Sequence, residues 1–395
     1  MGARVGPPVS RSVRLGRVPA GLAQIRPKKL APELRKPRPA YRAERRWHRR
    51  LALRLWGDPH ALRLAIQLGF VALCVWIGVE FHFFMQWGLS GGQMPFADRP
   101  PGVEGFLPIS ALISVKHWLS TGTINHVHPA ALFILLAIVL ISIAAKKAFC
   151  SFLCPVGTLS EYLWRLGRLV FRKNLLVPRW LDYPLRSLKY LLLIFFAWAV
   201  IKMDGPALSA FIGSPYNKVA DIKMYLFFAE LSGLALRVLV VLAVLSLFVK
   251  NAWCRFLCPY GALLGVVGWL SPLKVTRTAK TCIDCQLCTR ACPSDIRVHT
   301  AGRVWSDECT NCLDCVAACP VKDTLEVRAR DRAISPRAVA AIVVAVFLGV
   351  TGFAMATGHW QNRITPEEYL VRFGRLDSPM YQHARGHVPA YGPND

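Results

Sequence analysis

Eight of the thirteen cysteines in this 395-residue chain lie in two closely spaced runs, and the second run repeats the first. Each run reads C-x2-C-x2-C-x3-C-P, and every cysteine of the first recurs 27 positions later. The first run contains Cys282, Cys285, Cys288 and Cys292, and the second contains Cys309, Cys312, Cys315 and Cys319. Thiolates are soft ligands, so cysteines this close together predict metal centres whose ligands all come from this segment.

The spacing indicates which metal centre to expect. Zinc sites usually combine two cysteine pairs across a longer loop, and a disulfide framework also uses pairs. Three close cysteines followed by a fourth and a proline are typical of bacterial ferredoxins with two [4Fe–4S] clusters, in which the fourth cysteine binds the other cluster. We therefore predict one cluster on Cys282, Cys285, Cys288 and Cys319, and a second on Cys309, Cys312, Cys315 and Cys292.

The segment that carries these runs, about 281–327, is too short to bury an adequate apolar core. The clusters themselves should serve as its core, so that loss of the clusters should unfold it. Persistent iron-bound thiolates also predict that this ferredoxin module lies on the reducing, cytoplasmic side of a membrane.

The rest of the chain predicts that membrane. The composition is 54% hydrophobic and only 18% charged, and a transmembrane helix needs about 20 apolar residues. Five apolar runs approach or reach that length, at roughly 61–84, 129–148, 184–203, 233–249 and 338–357, the fourth being the shortest. The expected fold class is mainly α, a polytopic helical membrane protein of about five spans with an inserted two-cluster ferredoxin module.

The distribution of lysine and arginine predicts the orientation, because short loops rich in these residues stay in the cytoplasm. Residues 1–63 hold seventeen of them, 146–189 hold nine and 250–337 hold thirteen, whereas 85–128 and 204–232 hold two each. We expect a multi-pass protein of the bacterial cytoplasmic membrane, with the N-terminus and ferredoxin module inside and the C-terminal tail in the periplasm. The formal charge of +26 is mostly this topological signal, so no nucleic-acid partner is predicted.

A second internal repeat lies outside the ferredoxin runs. The pattern aromatic-C-x-F-L-C-P-x-G occurs at 149–157 and again at 253–261, an offset of 104 residues. Each copy closes an inward-running span, so each half of the membrane domain should consist of two spans followed by a cysteine pair. This arrangement predicts parallel repeats related by an axis along the membrane normal.

The predicted domains follow from these repeats. They are a basic, disordered cytoplasmic segment at 1–60, membrane repeats at 61–158 and 159–272, the ferredoxin domain at 273–330, a fifth span at 331–357 and an extracytoplasmic tail at 358–395. Segment 45–54 is expected to rest on anionic lipid headgroups, and 1–60 lacks the pattern of a signal peptide.

The cysteine pairs of the second repeat are Cys150 with Cys154, and Cys254 with Cys258. All four should meet at one level beneath the bilayer, and Pro155 and Pro259 should each start a new helix. The pairs predict a redox or metal site. A third iron–sulfur cluster, a copper ion or a reversible thiol pair would each be chemically compatible with it. The alternative is four small buried residues at tight turns. Cys74 stands alone in the first span and is interpreted as packing.

Two C-x3-C-P-x-G copies that close membrane spans, followed by the double ferredoxin run, resemble the NapH/NosR/YccM group of membrane polyferredoxins. The resemblance covers about residues 60–330. It implies electron transfer between the quinone pool, or a cytoplasmic donor, and a redox partner such as a periplasmic or membrane reductase or flavoprotein. It also implies that the C-x3-C-P cysteines contribute to that transfer.

The chain departs from this group in two ways. It lacks the large extracytoplasmic flavin-binding domain that NosR proteins carry before the first span, and it adds a fifth span with an outer tail. Five spans with a ferredoxin before the last also resemble the CcoG/FixG proteins, which implies an alternative function as a copper reductase or assembly factor for a respiratory complex. The short outer tail, without a Met- or His-rich tract, favours electron transfer.

Histidines near the outer surface are candidates for a further cofactor. His126 and His128 precede the second span, His82 ends the first and His359 ends the fifth. Pairs of such histidines suit a haem or the headgroup of a quinone, although interfacial histidines are commonly just hydrogen-bonded polar residues.

Two short amphipathic helices are also predicted. Leucines at 159, 163, 166 and 169 predict a helix lying under the membrane after the first C-x3-C-P copy. In the tail, Thr365-Pro366-Glu367-Glu368 reads as a capping box that opens a short helix ending near Gly374. A helix this short should dock on the outer loops or on a partner. No nucleophile–base pattern predicts bond chemistry.

Overall fold

A computed structural model describes residues 32–36, 57–172, 174–381 and 391. Within these ranges, four helices are long and apolar enough to cross a membrane: Pro59–Leu89, Pro129–Phe152, Arg179–Lys202 and Pro336–Ala356. A bent pair, Ala220–Ala229 and Gly233–Phe248, meets at 80° and supplies a fifth if it is counted as one span. The expected helical membrane architecture is therefore confirmed.

Fifteen α-helices occur in the described part of the chain. They are α1 Pro59–Leu89, α2 Pro108–Thr121, α3 Pro129–Ala145, α4 Phe149–Phe152, α5 Pro155–Phe171, α6 Arg179–Lys202, α7 Gly205–Gly213, α8 Pro215–Lys218, α9 Ala220–Ala229, α10 Gly233–Phe248, α11 Pro259–Val267, α12 Leu287–Ala291, α13 Asp314–Ala318, α14 Pro336–Ala356 and α15 Pro366–Phe373. A π-helical turn, Trp253–Leu257, precedes α11.

The helix α3 is the centre of the membrane domain. In the 18 most apolar consecutive residues of Pro129–Phe152, 72% are buried inside the protein, whereas only 11% are buried in the corresponding stretches of α1 and α6. It packs extensively against α14 and also contacts α2 and α11. Its partner in the 104-residue repeat, α10, exposes most of its apolar side chains instead. The two repeats therefore share a sequence pattern while one copy is interior and the other is peripheral.

The fourth predicted span is the one that differs most from expectation. The helix α10 has 16 residues, which is short for a bilayer, and it is entered from α9 through a sharp bend. The sixth helix, by contrast, begins five residues before the predicted 184, at Arg179, and contains Pro184 within its first turns. Pro184 is the sixth residue of α6 and lies beyond the first turn, so its missing amide hydrogen removes one helical hydrogen bond.

The ferredoxin module combines a small sheet with the two cysteine runs. Its strands are β1 Leu273–Arg277, β2 Leu325–Ala329 and β3 Arg332–Ile334, in the order β1-β2-β3. Both pairings are antiparallel, with Val275 opposite Val327 and Val327 opposite Ile334. The helices α12 and α13 occupy equivalent positions, 27 residues apart, in the two runs. The sheet therefore joins the two ends of the module and continues directly into α14.

The predicted outer-tail helix is present with the expected cap. The hydroxyl of Thr365 accepts a hydrogen bond from the amide of Glu368 at 3.2 Å, and α15 ends before Gly374. Its aromatic side chains dock on the end of α1, where the rings of Phe373 and Phe84 lie 5.6 Å apart. Lys218 also binds Glu368 across 2.9 Å. The expectation that this helix needs a docking surface is confirmed.

A helix is also present where the sequence predicts one beneath the membrane, as α5. Leu159, Leu166 and Leu169 are exposed on one side, while Trp164 and Gly167 are buried on the other. Gly167 permits a close crossing with α10, because a Cβ atom there would lie 1.8 Å from the carbonyl oxygen of Leu247. The predictions made for disorder over 1–60 and for headgroup contact at 45–54 fall largely outside the described residues.

Candidate functional site

The cysteines assigned to the second cluster line one cavity, here called the inner cradle. Cys292, Cys309, Cys312 and Cys315 surround it, together with apolar side chains from the module. Three of the four are buried, and Cys292 and Cys315 belong to a core that continues into Ile141 and Ala145 of α3. Burial raises the pKa of the Cys292 thiol to about 12 and that of Cys312 well above its ordinary value. Metal binding here must therefore displace thiol protons.

The cysteines assigned to the first cluster line a separate cavity, here called the outer cradle. Cys282, Cys285, Cys288 and Cys319 surround it, and every other lining residue in the described part of the chain belongs to the ferredoxin module. All four cysteines are partly exposed. The structure thus groups the eight cysteines into the two crossed sets that the sequence predicts, with Cys292 and Cys319 exchanged between runs.

Each cradle is formed by the same backbone turns. Asp284 and Gln286 of the first run have positive φ angles of 51° and 58°, and the equivalent Asn311 and Leu313 have 50° and 67°. The left-handed conformation costs a non-glycine residue roughly 1–2 kcal/mol. It is adopted because it wraps the peptide around the cavity and points successive cysteines inward. The donor set and the wrapped backbone fit a [4Fe–4S] cluster, whose chemistry is one-electron transfer.

The C-x3-C-P-x-G copies form two matching helix starts. The sulfur of Cys154 caps α5 by accepting from the amide of Gly157 at 3.3 Å, and the sulfur of Cys258 caps α11 by accepting from Gly261 at 3.3 Å. A Cβ atom at Gly157 would lie 2.2 Å from the carbonyl oxygen of Cys150. Glycine is therefore required because the new helix begins directly on the first cysteine of each motif.

The four thiols of these motifs are neighbours, here called the thiol site. Burial raises the pKa of Cys254 well above its ordinary value, and Cys258, Cys154 and Cys150 lie close enough to raise it further. Burial likewise raises the pKa of Cys154 to about 11. In the described residues, no three His, Cys, Asp or Glu side chains converge tightly enough to hold a single metal ion.

A small cavity joins the thiol site to the inner cradle. Cys150 and Cys254 line it from the membrane side and Cys312 lines it from the ferredoxin side. Lys147, only 2% exposed, also faces this cavity, and its counterpart in the repeat, Asn251, leaves a buried side-chain oxygen without a hydrogen-bond partner. The two repeats therefore contribute one cation and one neutral amide to the same space.

Buried ion pairs hold the ferredoxin module against the membrane domain. Arg63 of α1, 1% exposed, binds Glu161 of α5 at 2.7 Å and Asp314 of the second run at 3.0 Å. Gln67 donates to the other oxygen of Glu161 at 2.9 Å and to the carbonyl of Ser151 at 3.0 Å. This cluster fixes α13, and with it Cys312 and Cys315, beside the first C-x3-C-P turn.

The second repeat anchors the module in the same way. Lys250 donates to the carbonyl of Cys292 at 3.2 Å and to Asp295 at 3.0 Å, and Arg255 binds Asp295 at 2.9 Å. Lys146, which occupies the position of Lys250 in the first repeat, donates to the carbonyl of Val304 at 3.0 Å. Lysines at equivalent positions of both repeats thus bind carbonyls of the ferredoxin module.

A further anchor lies between α6 and the residues that precede Cys309. Lys189 is fully buried and binds Glu308, and Tyr190 donates to Asp307. Sequence reasoning assigned these lysines and arginines only to the orientation of the protein in the membrane. The 104-residue match of Lys146 with Lys250 is the sequence signal that indicates a specific role for two of these lysines.

A large cavity lies within the membrane domain. It has a volume of about 660 Å³ and is lined mainly by apolar side chains from α1, α3 and α14. Glu80, Asp98 and Arg99 line its outer end, whereas Phe149 and Pro155 line the end beside the thiol site. This membrane groove connects the outer loops with the first C-x3-C-P turn, and no sequence pattern pointed to it.

Two of the four outer histidines form side-chain hydrogen bonds in the described part of the chain. His128 is fully buried, and its Nε2 atom lies 2.7 Å from the carbonyl oxygen of Asn217. The Nδ1 atom of His82 lies 2.6 Å from the hydroxyl of Tyr225. Nearby, Arg99 binds Glu104 at 2.9 Å and also binds Asp221. A role of these histidines toward haem or quinone stays a prediction.

Comparison with known protein families identifies the same segments. A family described as "4Fe-4S binding domain" matches residues 127–174 and again 231–278, and a family described as "4Fe-4S dicluster domain" matches 274–335. The first two matches contain the two C-x3-C-P-x-G copies, and the third contains both ferredoxin runs. The chain therefore carries iron–sulfur domains, and its internal duplication is confirmed.

Three curated relatives extend this likeness. The chain is 42% identical over 352 residues to the "Putative electron transport protein YccM" of Escherichia coli K12, which covers 86% of this chain and 98% of the relative. It is 30% identical over 179 residues to "Regulatory protein NosR" of Pseudomonas aeruginosa, covering 43% and 23% of the two chains. "Ferredoxin-type protein NapH" of E. coli K12 is 28% identical over 190 residues, covering 46% and 62%. No solved structure matches the chain.

Proposed function

Because this chain belongs to the YccM/NapH/NosR group of membrane polyferredoxins, an iron–sulfur electron-transfer family of the inner membrane, we propose that it conducts electrons through three successive cysteine sites. The proposed order is outer cradle, inner cradle and thiol site. Two [4Fe–4S] clusters would occupy the cradles, and the thiol site would carry a third redox centre.

One observation carries this proposal. The cavity lined by Cys312 on one side and by Cys150 and Cys254 on the other places a predicted cluster ligand and two thiols around a single space. The buried anchors at Asp314 and Asp295 hold the module in that position. A rigid interface suits electron transfer because tunnelling requires a short and constant distance between centres.

The thiol site is tested by replacing its cysteines one at a time. Cys154→Ser and Cys258→Ser should each block electron transfer through the membrane domain while leaving both ferredoxin clusters in place, because serine keeps the size of cysteine and is a poor soft-metal ligand. Iron content, copper content, EPR spectra and turnover are measured in the same anaerobic preparations. Ser160→Ala, an equally small change in α5, is the control. Full turnover in the double serine variant restores the packing interpretation, and copper without a third iron–sulfur signal favours the metal-handling alternative.

The membrane groove supports quinol or quinone as the reactant on the membrane side. Its apolar walls suit an isoprenoid tail, its polar residues suit a headgroup, and its inner end reaches Pro155, next to Cys154. Oxidation of one quinol would release two electrons and two protons, and the cysteine centres would take the electrons one at a time. The redox partner protein would exchange electrons with the outer cradle at the other end of this path; where that partner is the donor, one quinone takes up two electrons and two protons instead.

Filling the groove tests this assignment. Leu348 of α14 lines it, whereas Ala345 of the same helix is exposed and does not. Leu348→Trp should slow reduction of the clusters by a short-chain quinol at least tenfold and leave their reduction by dithionite unchanged, and Ala345→Trp should change neither rate. Equal quinol rates in all three proteins would remove the groove from the pathway.

The proposed topology has the ferredoxin module in the cytoplasm and the tail outside. A reporter that is active only outside the cytoplasm should function after Asp395 or within 85–128 and fail near Arg168. Activity at Arg168 would contradict the five-span topology.

A further inference from the structure

The charges of the ferredoxin module are divided between its two sides. Residues 273–334 contain eight acidic residues, and four of them lie on the side that faces the membrane domain. Asp295, Asp307, Glu308 and Asp314 all bind lysine or arginine side chains of the membrane helices or of the loops that follow them. Half of the module's acidic residues therefore take part in its attachment to the membrane domain.

The side around the outer cradle keeps its positive charges. Lys280, Arg290 and Lys322 are exposed beside the cradle cysteines, and Arg277 lines the cavity itself. In the described part of the chain none of the four is paired with a carboxylate. Two exposed acids, Asp284 and Asp323, are the acidic residues closest in sequence to these cysteines.

The N-terminal segment adds further positive charge to this side. Residues 32–36 lie along Pro320–Lys322, where the amide of Lys36 donates to the carbonyl of Pro320 at 3.1 Å and the amide of Lys322 donates to Leu34 at 3.1 Å. The ammonium of Lys36 donates to the carbonyl of Val316 at 2.6 Å and lies close enough to Cys319 to lower the pKa of that thiol against the effect of burial.

Lipid does not account for this basic surface. The module is attached through the inner cradle, and its ion pairs to the described part of the membrane domain are all on that side. In the described residues, the walls of the outer cradle contain no side chain of the membrane domain. The basic residues therefore lie on the side of the module that faces away from the attachment to the membrane helices.

We propose that this basic surface around the outer cradle docks an acidic soluble one-electron carrier protein, which exchanges electrons with the cluster bound by Cys282, Cys285, Cys288 and Cys319. The reaction is one-electron transfer: the reduced carrier loses one electron, the cluster gains one, and no bond is made or broken. Opposite charges on the two proteins would accelerate their encounter and orient the carrier toward the partly exposed cysteines. This inference rests on the proposed function, because it names the partner for one end of the proposed electron path.

The test uses the full-length protein in nanodiscs of neutral lipid, mixed anaerobically with a reduced acidic [2Fe–2S] ferredoxin. The second-order rate of cluster reduction should fall at least tenfold when the salt concentration rises from low to high ionic strength. Lys280→Glu combined with Lys322→Glu should lower the low-salt rate at least tenfold. Arg330→Glu, a single charge reversal just beyond the end of β2, should change it less than twofold.

Reduction by dithionite separates this inference from the proposed function. Unchanged iron content and dithionite kinetics in the charge variants would show that the clusters and the path to the thiol site are intact. Equal losses in the Arg330→Glu protein, or rates independent of salt, would overturn the docking surface while leaving the electron path. Carrier rates that respond to anionic lipid in the nanodisc and not to Lys280 and Lys322 would assign the basic surface to lipid instead.

Discussion

The two cradles of the ferredoxin module have the same cysteine spacing and the same left-handed turns, yet their surroundings are opposite. The inner cradle has three buried cysteines and shares a core with α3, whereas all four cysteines of the outer cradle are partly exposed. Asp314, which follows Leu313 in the second run, is an anchor to Arg63, and the equivalent position in the first run is the apolar Leu287. Two motifs with the same cysteine spacing therefore have different surroundings because a few residues between the cysteines differ.

The largest expected effect comes from replacing the fourth cysteine of each run, which should remove the cluster held mainly by the other run. Cys292→Ala should remove the cluster of the inner cradle, although Cys292 belongs to the first run, and Cys319→Ala should remove the cluster of the outer cradle. Each protein should retain about half of the wild-type iron, and EPR should identify which cluster signal is lost. Loss of the first-run cluster in Cys292→Ala would contradict the crossed assignment.

Removing the anchor that only the inner cradle has should give the next largest effect. Asp314→Asn takes a charge from a buried pair, although Arg63 keeps Glu161, so a loss of about 2 kcal/mol is expected. The matched change Asp284→Asn, in the exposed outer cradle, should lie within about 0.5 kcal/mol of wild type. Denaturant midpoints for bleaching of each cluster measure both. Equal midpoints would mean that the anchor contributes no stability.

The shared turns should give effects of the same size or smaller. Gln286 and Leu313 adopt the same left-handed conformation, but Leu313 is 3% exposed and Gln286 is exposed. Glycine relieves the strain at both positions, while Leu313→Gly also loses a buried side chain. We expect a gain of under about 1 kcal/mol for Gln286→Gly and a loss of about 2 kcal/mol for Leu313→Gly, measured by the same bleaching midpoints. A loss at Gln286 would show that its side chain contributes to the outer cradle.

The cysteine ligands and their grouping were the most predictable part of the site. The 27-residue repeat predicted the crossed sets that line the two cradles, because the same cysteine spacing in both runs gives both the same local backbone. The starts of α5 and α11 were predicted for the same reason, since Pro155 and Pro259 favour the first turn of a helix. The capping box at Thr365 likewise depends only on residues that are adjacent in sequence.

The interface between the module and the membrane domain was not predicted. Its ion pairs join residues far apart in the chain: Arg63 and Asp314 are 251 positions apart, and Lys189 and Glu308 are 119 apart. Nothing in the spacing of a lysine or an aspartate indicates such a partner. Each cation also had a sufficient explanation in the distribution of positive charge between loops, which concealed its second role.

Local sequence patterns were enough to predict an iron–sulfur protein of the membrane, because cysteine spacing and apolar run length act locally. The same kind of pattern predicted the starts of α5 and α11 and the tail helix. The packing of the folded chain was needed to show which cradle faces the membrane domain, that α3 is interior while α10 is peripheral, and that a groove runs from the outer loops to the thiol site. These features depend on how distant segments pack and on which buried charges pair, and packing between distant segments is a property of the whole fold.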